Sequence, residues 1–243
     1  MSTPASTAAM AVGTACLAGV ALLTVAAVVA NGPTSLDQTL STWVAQQRSP
    51  GLVSLMEVVT VAGSAVAIWL VGVGCLIWGF ARDAWQPIRF VIPTALAASL
   101  TTNLMKLVIA RPRPTDDIAL RHFSGYSFPS GHVTTAAALW GALAVALVWS
   151  DHVRVRSAVA GWATFVVLVG ASRVILGAHW LTDVIAGAAV GTACVAVAVL
   201  IAQPTEKVEL KRHDPLESDA PETQAQRRSV AAARGAAQPT RDP

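Results

Sequence analysis

Long apolar runs constrain this chain more than any other feature of its sequence. A helix rises about 1.5 Å per residue, so roughly 20 apolar residues cross a hydrocarbon core of about 30 Å. Six runs of about this length occur, at residues 8–30, 58–80, 88–109, 133–150, 157–176 and 180–202. They are continuously apolar, whereas the strands of a membrane barrel are about ten residues long and alternate in polarity. The sequence therefore predicts an all-α protein, a bundle of six transmembrane helices.

The composition also places the chain in a bilayer. Hydrophobic residues make up 54% of the 243 residues and charged residues only 13%, about half the charged share of a typical soluble domain. The three cysteines, Cys16, Cys75 and Cys194, lie inside apolar runs and form no CxxC pair. The sequence thus indicates neither disulfides nor thiolate metal sites.

The chain changes character after residue 202. Prolines and charged residues replace the apolar runs, and seven basic residues are balanced by seven acidic ones between 203 and 243. We predict two parts, a membrane domain at 1–202 and a disordered cytoplasmic tail at 203–243. Because the tail has no excess of positive charge, no nucleic-acid partner is expected.

The distribution of Lys and Arg predicts the orientation of the bundle. Eleven of the seventeen basic residues fall in the tail or in the loops after the second and fourth spans, so both termini are expected in the cytoplasm of a multi-pass cell-membrane protein. The other six lie at the opposite, extracytoplasmic face: Arg48, Lys106, Arg111, Arg113, Arg121 and Arg173. Lys106 interrupts an apolar segment, where a central Lys costs roughly 2.5–3.5 kcal/mol on insertion. An anionic ligand at that face would account for these cations.

Three short sequence blocks meet at the predicted outer face. They are Lys106 with Arg113-Pro114, then Pro129-Ser130-Gly131-His132, then Ser172-Arg173 with His179 and Asp183. All eleven positions reproduce, in order and spacing, the motifs K-x6-RP, PSGH and SR-x5-H-x3-D. The chain therefore resembles the type 2 phosphatidic acid phosphatase (PAP2) superfamily. The motifs cover residues 106–183, and neither the tail nor the 31–57 loop is part of them.

The cations of these blocks suit a phosphoryl group. Phosphoryl transfer depends on positioning and on neutralising charge on the non-bridging oxygens. Arginine offers a forked pair of donors, lysine a compact charge, and a helix start such as Ser130-Gly131 offers free N–H groups. The expected phosphate ligands are Lys106, Arg113, Ser130, Gly131 and Arg173. The alternative is that the cations form surface salt bridges with Asp116 and Asp117.

The resemblance implies the roles of the histidines. His179 attacks phosphorus to form a phosphohistidine, Asp183 supports His179, and His132 protonates the leaving alkoxide and later activates water. The spacing of His179 and Asp183 agrees, since residues four apart share a helix face and a carboxylate there fixes the Nδ1 proton. A metal site built from His132, His179 and Asp183 is the competing interpretation. The neighbouring cations oppose a divalent ion, so neither a metal nor another cofactor is expected.

The expected activity is hydrolysis of a phosphate or diphosphate on a lipid at the extracytoplasmic face, with membrane lipids as the other partners. Polyprenyl diphosphate is the first expected substrate, because Arg111, Arg121 and His122 lie close in sequence to the motif cations and suit a second phosphate. Phosphatidic acid and phosphatidylglycerol phosphate are the alternatives. A lipid phosphotransferase shares the first half-reaction, and a non-catalytic lipid-binding or transport bundle also tolerates outward cations. Glu57, at the start of the second span, either pairs with a site cation or lies at the head-group boundary.

Overall fold

The computed structural model describes residues 4–29 and 32–202, and all regular structure in these ranges is helical. The eight α-helices are α1 (Pro4–Val29), α2 (Ser35–Gln46), α3 (Pro50–Val59), α4 (Ala65–Arg82), α5 (Gln86–Ile109), α6 (Gly131–Trp149), α7 (Val155–Ile175) and α8 (Leu181–Ala202). A 3-10 turn, Thr60–Gly63, joins α3 to α4. The predicted tail at 203–243 lies outside the described residues.

Helices α4 to α8 are each long and apolar enough to cross a membrane, and they correspond to the second to sixth predicted runs. The first predicted span falls on α1, in which the apolar stretch Met10–Gly19 is shorter than a membrane crossing requires. The all-helical membrane fold is thus confirmed over the described residues. The crossing of the membrane by α1 stays a prediction.

The segment between the first two predicted spans contains two helices, α2 and α3, where the sequence predicts a loop over 31–57. Thr34 and Asp37 form a capping box at the start of α2, and the Ser49 side chain accepts a hydrogen bond from Leu52 N at the start of α3, with Pro50 in its first turn. These are ordinary helix-start signals. The end of α3 and the 3-10 turn occupy residues 58–63, so α4 begins only at Ala65, seven residues later than predicted.

Helix α6 is the centre of the bundle and packs against α5, α7 and α8. Its contact with α8 is close because glycines lie between the two backbones. A Cβ atom on Gly187 would lie 2.6 Å from the Ser130 carbonyl oxygen, and one on Gly191 would lie 2.5 Å from that of Thr134. Small residues allow such an approach of membrane helices. The start of α8 is therefore fixed against the start of α6.

The alternation of the helices brings the motif-bearing segments to one end of the bundle. The last turns of α5 and α7 and the first turns of α6 and α8 lie there, joined by the loop 110–130 and the connection 176–180. At the opposite end of the bundle, Arg82 ends α4, Arg89 lies in the first turn of α5, and Arg154 and Arg156 lie at the start of α7. The fold thus separates the motif cations from the basic residues of the opposite loops.

Candidate active site

The structure brings the three motif blocks together. Ser130 N donates a hydrogen bond to the Asp183 carbonyl oxygen at 3.0 Å, and Arg113 Nη1 lies 3.2 Å from His179 Nε2. His132 lies within electrostatic range of Lys106, Arg113, Arg173 and His179. The residues that the sequence singled out therefore share one site, and their chemical roles stay predictions.

His179 and Asp183 meet across the start of α8 rather than along one helix face. The helix begins at Leu181, so His179 belongs to the connection before it. Asp183 Oδ2 accepts a hydrogen bond from Trp180 N at 3.0 Å and lies 3.4 Å from His179 Nδ1, without hydrogen-bond geometry. The expected pairing is present, but the predicted helical geometry behind it was wrong. The carboxylate caps the helix and faces the imidazole at once.

The buried imidazole is neutral at pH 7. His179 is 3% exposed and Asp183 is fully buried. Burial lowers the pKa of His179 to about 4, and the nearby Asp183 carboxylate, which acts in the opposite direction, offsets this only in part. The ring therefore keeps a lone pair available at physiological pH.

Arg113 contacts the nitrogen of His179 that faces away from Asp183. Its Nη1 donates to the Ala178 carbonyl oxygen at 2.7 Å, and its Nε donates to the carbonyl oxygens of Ser124 and Gly125. Because arginine only donates, the contact with His179 Nε2 requires that nitrogen to be unprotonated, which leaves the ring proton on Nδ1, next to Asp183. The surroundings of the ring thus select one tautomer.

Two donors of the expected phosphate ligands are buried without a hydrogen-bond partner. They are Ser130 Oγ and Arg173 Nε. The other end of Arg173 is fixed, because its Nη1 donates to Thr60 Oγ1 at 2.9 Å. Lys106 Nζ donates to the carbonyl oxygens of Tyr126 and Ser127. Buried polar groups without partners are rare and costly. Phosphate oxygens are acceptors that would satisfy both Ser130 Oγ and Arg173 Nε.

Phe123 lies among three guanidinium groups, a feature that the sequence analysis missed. Its ring centroid is 5.2 Å from Cζ of Arg121, 5.4 Å from that of Arg173 and 5.8 Å from that of Arg113. Arg121 also lies 3.7 Å from a carboxylate oxygen of Glu57, and both side chains are more than half exposed. Glu57 therefore pairs with Arg121 rather than with a motif cation, in a surface pair of little energetic weight.

A buried charge network behind Asp183 is the second feature that the sequence analysis missed. Arg111 contacts Asp183 Oδ1 with Nη1 and Asp37 Oδ2 with Nη2, the latter at 2.8 Å, and all three side chains are at most 2% exposed. Asp37 also accepts hydrogen bonds from the backbone and hydroxyl of Thr182, at 2.9 and 2.8 Å. Although burial raises the pKa of Asp37, these hydrogen bonds together with those from Thr34 and Arg111 lower it below its usual value.

The expectation that Arg111 holds a second phosphate was wrong. Its five N–H groups are taken up by Asp37, Asp183, Thr182 and the Gly32 carbonyl oxygen, the last of which accepts from both Nε and Nη2. Arg48, another cation predicted at the same face, donates to the carbonyl oxygens of Ile118 and Ile175. Protein groups, not an anionic ligand, hold these two arginines at the motif-bearing end of the bundle.

The described residues form neither of the two alternative arrangements, salt bridges to Asp116 and Asp117 or a metal site. None of their ion pairs includes Asp116 or Asp117. No three of their His, Cys, Asp or Glu side chains converge as metal ligands do. The polar groups that converge here are cations, hydroxyls and imidazoles, with a single carboxylate behind His179, a set that suits an oxyanion.

Comparisons with known proteins agree with this geometry. Residues 88–207 match the family described as the PAP2 superfamily. Phosphatidylglycerophosphatase B of Bacillus subtilis is 33% identical over 179 residues, which cover 70% of this chain and 85% of that protein. Lipid A 1-phosphatase of Rhizobium etli is 36% identical over 111 residues, and these cover 42% of this chain and only 44% of that protein.

A solved structure extends the likeness to the fold. The structure of a transmembrane PAP2 type phosphatidylglycerolphosphate phosphatase from Bacillus subtilis superposes with a TM-score of 0.69 at 28% identity. The match covers 81% of this chain and 96% of that one. The likeness thus includes helices that lie before the residues matched to the family.

Proposed function

Because this chain belongs to the PAP2 superfamily, whose membrane phosphatases it matches in sequence and fold, we propose that it hydrolyses a lipid phosphate through a phosphohistidine at His179. The observation that carries this proposal is the environment of that imidazole. Nδ1 faces a buried carboxylate, and Nε2 faces Arg113, which belongs to a set of phosphate-binding candidates. A nucleophile with an orienting acid on one side and a cation on the other suits attack on a phosphoryl group.

In the first half-reaction, the Nε2 lone pair of His179 attacks phosphorus and the bond from phosphorus to the ester oxygen breaks. His132 donates its proton to the leaving alkoxide. Arg113 turns from His179 Nε2 to a non-bridging oxygen, where Lys106 and Arg173 add their charges. Ser130 Oγ and the free N–H groups at the start of α6 supply further donors. Asp183 stabilises the positive charge that the imidazole gains.

In the second half-reaction, His132 removes a proton from a water molecule, whose oxygen attacks phosphorus as the bond to His179 breaks. Inorganic phosphate leaves, His179 is neutral again and His132 is protonated as at the start. No step needs a metal, since the three cations neutralise the charge that a metal would otherwise meet.

We propose phosphatidylglycerol phosphate as the substrate, in place of the polyprenyl diphosphate expected from the sequence. Two considerations support this change. The Bacillus subtilis relative that shares 85% of its length with this chain is named for phosphatidylglycerophosphate, and Arg111 is not free to bind a second phosphate. Polyprenyl diphosphate is the second candidate, because Arg121 remains exposed beside the other two arginines around Phe123.

We further propose that the site faces away from the cytoplasm and that both termini lie inside. Arg82, Arg89, Arg154 and Arg156 lie at the end of the bundle opposite His179, and short loops rich in Lys and Arg stay on the cytoplasmic side. The outer leaflet is then the source of the substrate.

A phosphate-release panel tests the proposed function. Purified protein in detergent with EDTA is given phosphatidylglycerol phosphate, phosphatidic acid or polyprenyl diphosphate, with His179→Ala as the inactive control. We expect release from all three and the highest kcat/KM for phosphatidylglycerol phosphate. Release from none of them, or release that needs an added divalent ion, would contradict the proposal. Transfer of the phosphoryl group to an added alcohol, in preference to water, would instead identify a phosphotransferase.

A further inference from the structure

A cavity of about 170 Å³ lies beside His132, on the side of α4 and α5. It is formed by the start of α4, the last third of α5 and the first turns of α6. Its polar lining residues are Ser64, Ser99, Thr102, Asn103, His132 and Thr135. The remaining lining residues are Gly or Ala, so neither a cation nor a large apolar side chain enters the cavity. Its volume is more than ten times the 10–15 Å³ or so that one water needs.

The two threonines of this cavity differ from the other described threonines of α4 to α8, whose hydroxyl groups all donate a hydrogen bond within the protein, that of Thr182 to Asp37. Five threonines donate their hydroxyl to the carbonyl oxygen four residues earlier: Thr94, Thr101, Thr134, Thr164 and Thr192. This local bond is the usual way for a threonine to satisfy its hydroxyl in an apolar helix. Among the described residues, Thr102 and Thr135 make no such bond, although both are at least 93% buried. Their hydroxyl groups are left for a ligand.

The position of the cavity relative to the two histidines points to its occupant. An in-line displacement places the leaving oxygen opposite the attacking nitrogen, which here is opposite His179 and next to His132. The cavity borders His132 and not His179. The alcohol that leaves with this oxygen therefore extends into the cavity.

We infer that this cavity binds the part of the leaving alcohol next to the broken bond and selects one that is uncharged there and carries a free hydroxyl, as the head-group glycerol of phosphatidylglycerol does. The inference rests on the proposed function and adds the residues that determine specificity, Asn103 and Thr135 foremost. A polyprenyl phosphate leaving group carries its negative charge directly at the broken bond, where the cavity has no cation, whereas the phosphodiester of phosphatidylglycerol lies three carbons farther away. The diacylglycerol of phosphatidic acid brings ester groups but no free hydroxyl, so it leaves donors of the cavity unpaired, which lowers the rate for that substrate.

Thr135→Val tests this inference, because valine keeps the shape and removes only the hydroxyl. We expect kcat/KM for phosphatidylglycerol phosphate to fall about three- to tenfold, as the loss of one neutral hydrogen bond implies, while kcat/KM for phosphatidic acid changes less than twofold. Thr101→Val is the matched control, since Thr101 lies outside the cavity and bonds to its own helix; it should leave the ratio of the two substrates unchanged. Turnover of p-nitrophenyl phosphate, whose leaving group has no second hydroxyl, reports the intact catalytic centre.

Asn103→Leu provides an independent variant of similar volume at the rim of the cavity, where the side chain is exposed. We expect it to lower the preference for phosphatidylglycerol phosphate in the same direction. Equal losses on both lipids, or no change in the ratio for either variant, would overturn the inference while the phosphatase assignment stands. Failure of the wild type to release phosphate from any lipid would overturn the proposed function itself, so the two failures are distinguishable.

Discussion

Replacing Asp37 by Asn tests whether the buried network behind Asp183 serves catalysis as well as stability. Asp37 is fully buried and accepts hydrogen bonds from Thr34, Thr182 and Arg111. Asparagine has almost the same shape but no charge, so Arg111 keeps Asp183 as its sole anionic partner. The Asp183 carboxylate is then neutralised more fully by Arg111 and stabilises the positive charge on His179 less in the transition state.

The expected loss of catalytic rate and the expected loss of stability both follow from the contacts of Asp37. At an effective dielectric of about 20, a unit charge that reaches the imidazole through the Arg111–Asp183 ion pair contributes on the order of 2 kcal/mol, so kcat should fall about 30-fold. The lost charge-assisted hydrogen bonds should destabilise the fold by about 2 kcal/mol, which lowers Tm by roughly 4–8 °C for a chain of this size. KM should change little, because Asp37 does not contact the phosphate-binding side chains.

The assay is phosphate release from phosphatidylglycerol phosphate in detergent micelles, at a temperature well below the Tm of every variant. Asp117→Asn is the matched control, because the same change is made at an exposed position of the loop 110–130; it should leave kcat and Tm unchanged. A kcat within threefold of the wild type, together with a lowered Tm, would show that the network is only structural and would refute the reasoning about charge.

Three further predictions concern the nucleophile, its ionisation and the topology. His179→Ala should abolish turnover and the acid-labile phosphoenzyme. His132→Ala should still form phosphoenzyme from p-nitrophenyl phosphate, because that leaving group needs no proton. Rapid-quench trapping measures the phosphoenzyme, and near-normal phosphate release by His179→Ala would contradict the assignment of the nucleophile. Since the pKa of His179 is lowered to about 4, the acidic limb of kcat/KM, corrected for ionisation of the substrate, should appear as the pH falls through about 4; a limb near pH 6.5 would mean that the imidazole is not buried and neutral. A cysteine placed in the loop 110–130 should react with an impermeant maleimide in intact cells, and labelling only after permeabilisation would invert the proposed orientation.

The parts of this protein that could be predicted from sequence are those with local signals. Runs of apolar residues set the spanning helices, and fixed spacings identified His132, His179 and the cations around them. The pairing of His179 with Asp183 was also expected, but not its geometry. A spacing of four suits a continuous helix, whereas here α8 begins between the two residues, at Leu181.

The features that the sequence did not reveal depend on contacts between distant segments. Asp37 and Arg111 are 74 positions apart, and neither stands in a motif. The capping box of Thr34 and Asp37 indicates a helix start, but it does not predict a contact with Arg111. The same limit applies to the repeated dipeptide Arg111-Pro112-Arg113-Pro114, because Arg111 faces a buried carboxylate and Arg113 faces His179. Spacing distinguished the two residues but did not reveal what each one contacts.

The buried network has a consequence for where this enzyme's functional domain begins. The match to the family starts at residue 88, and every motif residue follows that point. Three residues that support the site precede residue 88. Asp37 pairs with Arg111, and Thr60 accepts a hydrogen bond from Arg173. Gly63 packs so closely on α6 that a Cβ there would lie 2.4 Å from the His132 carbonyl oxygen. A chain cut at residue 88 would keep all the chemical groups and lose their supports. A fragment that keeps this site intact must therefore begin at or before residue 32, because the Gly32 carbonyl oxygen accepts hydrogen bonds from Arg111.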